Sequence, residues 1–282
     1  LTAFEPGQQA QLEAAGGKPL GLVCVSPNNL ICARLFSRDT RHPLDKSLLV
    51  HRFKVALSLR ERLFDKPFYR LVYGESDFLP GLVIDRFGDY FVVQIANPGM
   101  EQVRGDIVDA LVQVFKPQAV LFKNDSGARK LEGLESYVED AFGEMPDLVA
   151  LEENGVRFEA PVREGQKTGW FYDHRANRAR LAPYVAGKRV LDLYSYVGGW
   201  GVQAKGVRGG GIRRCEIHHI GAGGVGIAGS DVELADNHVH HVGTMYPSAI
   251  AVRAGNARNT GRPGVRIVHN LIHDTPYSAV TC

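Results

Sequence analysis

Two short segments combine charged and glycine residues in the way that a ligand-binding loop requires. Residues 188–200, KRVLDLYSYVGGW, read as a β-branched and Leu-rich strand that runs into a glycine turn and a helix start. Glycines let the backbone approach a ligand closely, and ligands of open α/β sheets lie at the carboxyl end of a strand. Asp192, at that strand end, suits a ligand with a cationic amino group. An ordinary structural turn is the alternative.

A second candidate segment lies just upstream of the first. Residues 165–175, GQKTGWFYDHR, precede a helical run to Tyr184 and bring together Lys167, Thr168, Asp173 and Arg175. Taken alone, the acid and the arginine are equally typical of a surface salt bridge. The two segments together are more specific than either one by itself.

The elements that must position these segments follow from the periodicity of apolar residues. Apolar runs over residues 20–25 and 30–36, separated by turn residues, predict a small β unit. A helix that ends at Asp65-Lys66-Pro67 follows. Spacings of four and three predict that its buried face carries Leu49, Phe53, Ala56, Leu59 and Leu63.

The next elements predict an α+β middle domain. Apolar runs 82–84 and 90–95 flank the turn-rich DRFGD and predict a hairpin. Residues 119–122 predict a short buried strand. Between them, an amphipathic helix that stops at Pro117 carries Val103, Ile107, Leu111 and Val114.

The composition changes after Lys205. Beyond it the chain has no lysine, two leucines, thirteen glycines and seven of its ten histidines. The change falls where a helix has just begun at Gly201, so it interrupts an element rather than a linker. Residues 1–205 hold 26 Lys and Arg against 26 Asp and Glu, and residues 206–282 hold 7 against 5. Any nucleic-acid contact must therefore come from a local patch.

Such a patch is predicted where the β unit meets the first helix. The residues that would contact RNA phosphates are Arg34, Arg38, Arg41 and Lys46, with His42 beside them. Asp39 and Asp45 lie among them, so a solvated surface is the alternative.

Residues 165–175 and the glycine turn resemble the signature of the 23S rRNA cytosine-5 methyltransferases, which carry a PUA domain, a central α+β domain and a class I methyltransferase domain. Residues 74–88, GESDFLPGLVIDRFG, and residues 130–134, KLEGL, match the same family in the same order. The resemblance covers residues from about 7 to 204. It implies S-adenosylmethionine as cofactor and 23S rRNA as partner. The four cysteines, at 24, 32, 215 and 282, lie far apart without C-x-x-C spacing, so a reducing cytoplasm is the expected location.

By this resemblance, the two segments form the cofactor site. Bordering the pocket would be Lys167, Thr168, Asp173 and Arg175. The loop beneath S-adenosylmethionine would consist of Asp192, Ser195, Tyr196, Gly198 and Gly199. His174 departs from the glutamine usual in the family but leaves its charged neighbours in register.

The same resemblance implies what the chain lacks. Methylating carbon 5 of a cytosine requires a nucleophile on the ring, normally a cysteine thiolate. In this family the thiol, the acid that holds the ribose and an Asp-Pro-Pro type motif come later, beyond the point where this chain changes composition. Cys215 and Cys282 lack the family context. We therefore predict no catalytic residue and an inactive chain.

Three similar strings after residue 210 predict a repeat. They begin at Cys215, Asn237 and Asn270, at spacings of 22 and 33 residues, with alternating apolar residues around them. The unit resembles the right-handed parallel β-helix of polysaccharide lyases and related carbohydrate-active proteins, which makes carbohydrate a second candidate partner. Histidines at i, i+2 and i+3 are more typical of stacked polar ladders than of a metal site, so no metal is predicted.

The predicted fold class is multidomain α+β. It comprises a partial PUA-like β domain over residues 1–45, an α+β middle domain over 46–150, the start of a Rossmann-like methyltransferase domain over 151–205, and right-handed parallel β-helix-like repeats over 206–282. With 44% apolar residues, 23% charged residues and no apolar run near the ~18 residues of a membrane span, no membrane partner is predicted.

Three functions remain open. The chain is a fragment or chimera of an rRNA methyltransferase, a carbohydrate-active or carbohydrate-binding β-helix protein with a recruited N-terminal module, or a non-catalytic RNA-binding module. The first is favoured because its motifs are longer, occur in family order and span most of the chain.

Overall fold

The computed structural model describes residues 3–187, 190, 192, 196–201, 203, 211–220, 225–227, 232–242, 250–254, 265–275 and 278–281. The chain divides into two compact units, Leu1–Tyr172 and Asp173–Cys282. Across the described residues, no helix is both long enough and apolar enough to cross a membrane.

The first unit opens with a three-stranded antiparallel sheet in the order β1-β2-β3. Its strands are β1 Gln9–Glu13, β2 Pro19–Val25 and β3 Ala33–Ser37. Apolar side chains of β2 and β3, among them Val23 and Phe36, are buried. The small β unit predicted from the turn signals is confirmed.

Helix α1 spans Lys46–Leu63, and its N-terminus is capped by Asp45, whose side chain accepts a hydrogen bond from the Leu48 amide at 2.8 Å. The helix is confirmed, but its buried face was predicted incorrectly at one end. Leu59 and Leu63 are 50% and 64% exposed, whereas Arg60 is only 9% exposed. Burial of a guanidinium requires a partner, which Asp77 supplies.

A five-stranded sheet in the order β4-β5-β6-β7-β8 forms the centre of the first unit. Its strands are β4 Phe68–Tyr73, β5 Leu82–Phe87, β6 Tyr90–Ile95, β7 Ala119–Asn124 and β8 Tyr137–Phe142. The β5–β6 hairpin is confirmed, with Gly88 at a φ of 66° in its turn. Every residue of β7 is buried, as the short apolar run predicted.

The connection from β6 to β7 carries the helices that cover the sheet. These two strands are parallel, which requires a crossover, and the crossover holds α2 Pro98–Gln102 and α3 Arg104–Phe115. Helices α1 and α3 pack against each other, and their apolar residues join those of the sheet in one core. A Cβ atom on Gly99 would lie 2.4 Å from Cys24 Sγ, so α2 packs on β2 at a distance that only glycine allows.

Helix α4 Gly127–Leu131 and a hairpin of β9 Leu148–Glu153 and β10 Val156–Pro161 complete the first unit. The predicted domain boundary between residues 150 and 151 lies inside β9. The division into compact units instead follows Tyr172, so the hairpin and the segment after it belong with the sheet.

The second unit begins with the short helices α5 Arg175–Ala179 and α6 Ala182–Val185. The predicted strand at 188–193 lies outside the described residues except for Val190 and Asp192, neither of which is in a strand. Residues 196–201 form a turn.

Among the residues that the structure describes after position 210, nine short strands form three parallel sheets of three strands each, in the orders β11-β14-β17, β12-β15-β18 and β13-β16-β19. The strands are β11 Gly211–Arg213, β12 Glu216–Ile220, β13 Val225–Ile227, β14 Glu233–Ala235, β15 His238–Val242, β16 Ile250–Ala254, β17 Arg266–Val268, β18 Leu271–Ile272 and β19 Ser278–Thr281. Glu216 pairs with His238 and His238 with Leu271, which are the 22- and 33-residue spacings of the repeated strings.

An asparagine pair links two successive repeats. The Asn237 side-chain amide donates to Asn270 Oδ1 at 2.9 Å, and the Asn270 amide donates to the Leu234 carbonyl at 2.7 Å. One residue precedes each repeated string, and in all three repeats it has a left-handed backbone conformation with a φ between 53° and 55°. These residues are Arg214, Asp236 and His269, so the backbone bends in the same way at this point of each repeat. Leu234 in β14 and Val239 in β15 are fully buried.

Candidate functional site

The second candidate segment, residues 165–175, is anchored in the first unit through a buried threonine. Thr168 is fully buried, and its hydroxyl donates to Oδ2 of Asp85, also fully buried, at 2.5 Å. Tyr172 donates its hydroxyl to the Arg86 carbonyl at 2.9 Å. Two segments that the sequence analysis singled out separately, 74–88 and 165–175, are therefore joined. The Thr168 hydroxyl holds its segment in place, a role that the sequence did not predict.

Two arginine–aspartate pairs support this junction. Arg70 donates to both carboxylate oxygens of Asp85 at 2.8 and 2.9 Å, and Arg60 donates to both oxygens of Asp77 at 2.7 Å. Arg60 Nε also donates to the Arg70 carbonyl at 3.1 Å, which links the two pairs. Such bidentate contacts fix orientation as well as charge. Sequence reasoning missed these residues, although an acid in the middle of the apolar strand LVIDRF was a visible signal.

Trp170 fastens the same segment to the β9–β10 hairpin. The indole is 1% exposed, donates from Nε1 to Glu153 Oε2 at 2.9 Å, and lies 4.7 Å from the Phe158 ring between centroids. Gly169 has a φ of 101°, and a Cβ atom there would lie 3.1 Å from Val162 Cα. The segment therefore has little freedom to move from the hairpin.

Lys167 differs from its neighbours because its ammonium group is at the surface. The residue has a φ of 53°, and its Nζ lies 4.5 Å from the centroid of the Phe171 ring. This cation–π contact orients the side chain without burying the charge. Lys167 can thus present a positive charge to a ligand, while Thr168 beside it cannot present its hydroxyl.

In the second unit, residues around α5 lie near the glycine turn. The His174 ring is 5.7 Å from the Trp200 ring, and the Arg178 guanidinium is 5.9 Å from it. Asp173 is more than half exposed, with His174 Nε2 4.0 Å from its Oδ2. Arg175 is the first residue of α5 and is partly buried. The structure thus brings the residues next to Asp173 and Arg175 to the glycine turn.

Asp192 closes the glycine turn through a hydrogen bond to the backbone. Its Oδ2 accepts a hydrogen bond from the Gly201 amide at 2.8 Å, and a Cβ atom on Gly201 would lie 3.0 Å from that oxygen. Tyr196 and Gly198 have φ values of 53° and 73°, and Gly199 is buried. The turn is therefore tightly folded around one carboxylate. Ser195 lies outside the described residues.

Local acids offset the predicted RNA-contacting patch. Arg34 lies 3.2 Å from Glu75, Lys46 lies 3.4 Å from Asp109, and Arg41 donates to both oxygens of Asp39. The Arg41 guanidinium holds the pKa of the Asp39 carboxyl well below its usual range. Exposed pairs of this kind are weak and can be exchanged for phosphate contacts. Arg38 is exposed. The patch is thus mixed in charge rather than strongly positive.

The cysteines differ in their capacity to form a thiolate. Burial raises the pKa of the Cys24 thiol to about 12, so this thiol stays protonated at neutral pH. Cys32 is partly exposed, and Cys215 Sγ donates to the Arg213 carbonyl at 3.3 Å. Cys24 is therefore excluded as a nucleophile.

Comparison with known proteins bears on the segments just described. Residues 130–239 match the model of the S-adenosylmethionine-dependent methyltransferase family. The match continues beyond residue 204, where the motif resemblance ended. Over 204 residues the chain is 37% identical to the ribosomal RNA large subunit methyltransferase I of Aliivibrio fischeri, which covers 71% of this chain and 52% of that protein. The same protein of Cronobacter sakazakii is 37% identical over 203 residues. The chain spans about half the length of these relatives.

Solved structures show a related fold. A SAM-dependent methyltransferase from Streptococcus mutans superposes with a TM-score of 0.63 and 26% identity, over 73% of this chain and 55% of that one. A methyltransferase complexed with SAH superposes with the same TM-score and 21% identity, over 95% of this chain and 62% of that one. Both the family match over residues 130–239 and the relatives at 37% identity are therefore S-adenosylmethionine-dependent or ribosomal RNA methyltransferases.

Proposed function

We propose that the chain takes part in S-adenosylmethionine-dependent methylation of large-subunit rRNA. The observation that carries the proposal is the 37% identity over 204 residues to the ribosomal RNA large subunit methyltransferases I. The anchoring of residues 165–172 on the central sheet through Thr168 and Asp85 supports it, because it joins two segments of the family signature. The first three strands would be part of a PUA domain, and the central sheet would be the middle domain.

The cofactor would be held from the first candidate segment, residues 188–200. Asp192 offers a carboxylate beside a glycine turn, and the Gly201 amide already holds one of its oxygens, so a cationic amino group suits this position. Lys167, Asp173 and Arg175 would border the pocket, and Ser195, Tyr196, Gly198 and Gly199 would form the loop. Thr168 would act as a positioning residue. S-adenosylmethionine would supply the methyl group.

The partner would be 23S rRNA, contacted through Arg34, Arg38, Arg41 and Lys46. Phosphates would replace the exposed carboxylate partners of Arg34, Arg41 and Lys46, since surface ion pairs contribute little to stability. Binding of this kind should weaken steeply with salt.

The target would be carbon 5 of a cytosine, and the chain by itself would not complete the transfer. This reaction needs a thiolate, and Cys24 is held protonated by burial. After residue 210 the described residues form a repeat of short parallel strands. The methyltransferase sequence would thus be joined near residue 205 to a right-handed parallel β-helix.

Equilibrium dialysis with radiolabelled S-adenosylmethionine tests the cofactor site. We expect saturable binding, with at least a ten-fold loss of affinity in Asp192→Asn, because one charge-assisted contact contributes about 1.5–3 kcal/mol. Asp65→Asn, an exposed acid at the end of α1, is the matched control and should bind as the parent does. Equal affinities of the two variants would contradict the assignment of Asp192.

A second experiment tests the rRNA partner, the target nucleotide and the predicted inactivity. It measures the transfer of labelled methyl groups to 23S rRNA, followed by nucleoside analysis. Salt-dependent rRNA binding without transfer is the expected result. Formation of 5-methylcytidine would support the target and contradict the predicted inactivity, whereas a different methylated nucleoside would contradict the target. Absence of both cofactor and rRNA binding would overturn the proposal.

The stacked repeat favours one second candidate, a carbohydrate-binding role for residues 206–282. Parallel repeats with exposed strand faces are the architecture on which the resemblance to polysaccharide lyases rests. Binding of polyuronate to the full chain, in the absence of rRNA binding, would favour this function over the first.

A further inference from the structure

The exposed face of the β12-β15-β18 sheet carries a cluster of histidines and acids. Side chains alternate between the two faces of a strand, and Val239 in β15 is fully buried, so its neighbours His238 and His240 point outward. Glu216 pairs with His238 across the sheet and therefore shares that face. His273 and Asp274 follow β18 on the next repeat. Three successive repeats thus contribute to one surface.

Three side chains of this cluster bring potential metal-ligand atoms together. Glu216 Oε1 lies 3.3 Å from His240 Nε2 and 3.8 Å from His238 Nδ1. One ligand atom from each of these residues lies within 4.8 Å of the other two. A tetrahedral zinc site with bonds of ~2.0–2.2 Å places ligand atoms about 3.3–3.5 Å apart. The three side chains therefore need only small rotations to surround one ion.

Hydrogen bonds on the far side of His238 assign its ring proton in the way that metal binding requires. His273 Nδ1 lies 2.8 Å from the Asp274 carboxylate, and His273 Nε2 lies 2.7 Å from His238 Nε2. Because Asp274 can only accept, the proton on His273 belongs on Nδ1, and His238 donates from Nε2. The lone pair of His238 is then on Nδ1, the atom that faces Glu216. A metal-binding histidine typically donates its other ring N–H in this manner.

His240 also directs a ring nitrogen toward Glu216. Its Nε2 is hydrogen-bonded to Glu216 Oε1 at 3.3 Å, so a metal ion would displace the proton of that bond, and its Nδ1 lies 2.7 Å from His241 Nδ1. The His240 side chain is 12% exposed, so its position is determined by packing. The sequence analysis favoured a stacked polar ladder, and stacking is present, since the His218 and His240 rings are 5.1 Å apart and nearly parallel. Besides the stacking, Glu216 forms a hydrogen bond with His240 Nε2.

We propose that Glu216, His238 and His240 form a binding site for a divalent transition-metal ion, with Zn²⁺ as the expected ion. Two imidazoles and one carboxylate are typical zinc ligands, whereas Ca²⁺ and Mg²⁺ prefer a set made of oxygens. Glu216 is 61% exposed, so water can occupy the remaining positions. The ion would connect β12 to β15, and with them two successive repeats. His273, Asp274 and His241 are positioning residues for the ligands.

Titration of the full-length, tag-free, metal-stripped chain with Zn²⁺, followed by calorimetry, tests the site. We expect one equivalent to bind, and Co²⁺ to produce visible d–d absorption of a four- or five-coordinate ion. Glu216→Gln and His240→Ala should each weaken Zn²⁺ binding by more than about 100-fold, and Asp274→Asn by about 10–100-fold, the effect typical of an outer-shell partner. His269→Ala, an exposed histidine of the same repeats, is the matched control.

Thermal unfolding provides a second readout that separates loss of ligand from loss of fold. Zn²⁺ should raise the unfolding midpoint of the parent chain and of His269→Ala but not of Glu216→Gln, because an ion that binds the folded state stabilises it. Glu216→Gln is isosteric and exposed, so its metal-free midpoint should match that of the parent. Unchanged affinity in Glu216→Gln and His240→Ala, or preference for Ca²⁺ over Zn²⁺, would overturn the proposal.

Discussion

A single buried carboxylate organises the residues around the second candidate segment, residues 165–175. Asp85 is fully buried in an otherwise apolar strand, and burial of a charge is costly unless it is paired and hydrogen-bonded. Arg70 supplies the charge and Thr168 a further donor, from a position 83 residues later in the chain. The segment that carries Lys167 is therefore positioned by the requirement to satisfy Asp85.

Substituting Thr168 should destabilise the protein, although no charge is removed. Thr168→Val has nearly the same shape but leaves Asp85 one donor short, so we expect a loss of about 1.5–3 kcal/mol in the free energy of unfolding. Thr168→Ser should restore most of this loss, and Thr40→Val, at an exposed position, should change it little. Urea denaturation measures these differences. Equal stabilities of Thr168→Val and Thr40→Val would contradict the role of this hydroxyl.

Cys24 should resist alkylation in the native protein. With a pKa of about 12, only about one Cys24 thiol in ten thousand is a thiolate at pH 8, and the folded value lies above that of an unfolded chain. Iodoacetamide should therefore label the partly exposed Cys32 and Cys215 first, and Cys24 only above about pH 11 or after unfolding. Peptide mapping by mass spectrometry follows each site. If Cys24 were labelled as fast as Cys32 at pH 8, the conclusion that the Cys24 thiol is buried would be contradicted.

At the scale of elements, α1 shows where periodicity is informative and where it is insufficient. Spacing placed Leu49, Phe53 and Ala56 correctly, because apolar burial alone determines that part of the face. It then selected Leu59 over Arg60, since a pattern of apolar residues assigns no buried position to an arginine. The position of Arg60 depends on Asp77 in another element, and such tertiary pairing is not encoded in local spacing.

Substitutions of Leu59 and Arg60 test which of these two residues is buried at the end of α1. Arg60→Ala should lower the free energy of unfolding by about 3–5 kcal/mol, because it leaves the Asp77 carboxylate nearly buried without its partner. Leu59→Ala, which removes a side chain that is half exposed, should change it by less than about 1 kcal/mol. Thermal or urea unfolding measures both. A larger loss of stability in Leu59→Ala than in Arg60→Ala would instead support the buried face predicted from the sequence, with Leu59 in the core.

Other elements and parts of the candidate site were predictable for physical reasons. The β5–β6 hairpin, buried β7 and the repeat spacing follow from alternation and turn residues, which are local signals. Asp192 with its glycine turn was found because a tight turn needs glycine. The roles of Thr168, Trp170 and the arginine–aspartate pairs were not found, since each depends on residues distant in sequence. The proximity of Glu216 to His238 and His240 depends on the pairing of strands between repeats. The repeat spacing predicts that pairing, but it does not predict the side-chain rotamers.

At the scale of the whole molecule, the division into units differs from the domain boundaries read from the sequence. The predicted middle domain ended at residue 150, inside β9, whereas the first compact unit extends to Tyr172. The additional residues include Trp170, which is fully packed against the hairpin, and Thr168, which completes the environment of Asp85. A boundary read from the sequence overlooks such contacts, because the partners of Thr168 and Trp170 lie elsewhere in the chain.

Two fragments test which boundary the protein itself uses. Residues 1–172 contain the entire core of the first unit and should fold alone, with one cooperative thermal transition. Residues 1–150 lack half of β9, all of β10 and the Trp170 indole. Loss of a buried tryptophan alone costs about 3–5 kcal/mol, and about 1 kcal/mol corresponds to roughly 2–4 °C in a domain of this size. The midpoint of 1–150, followed by circular dichroism, should therefore lie at least about 10 °C below that of 1–172. Equal midpoints would place the boundary at residue 150 and separate the segment that carries Lys167 from the sheet that we infer positions it.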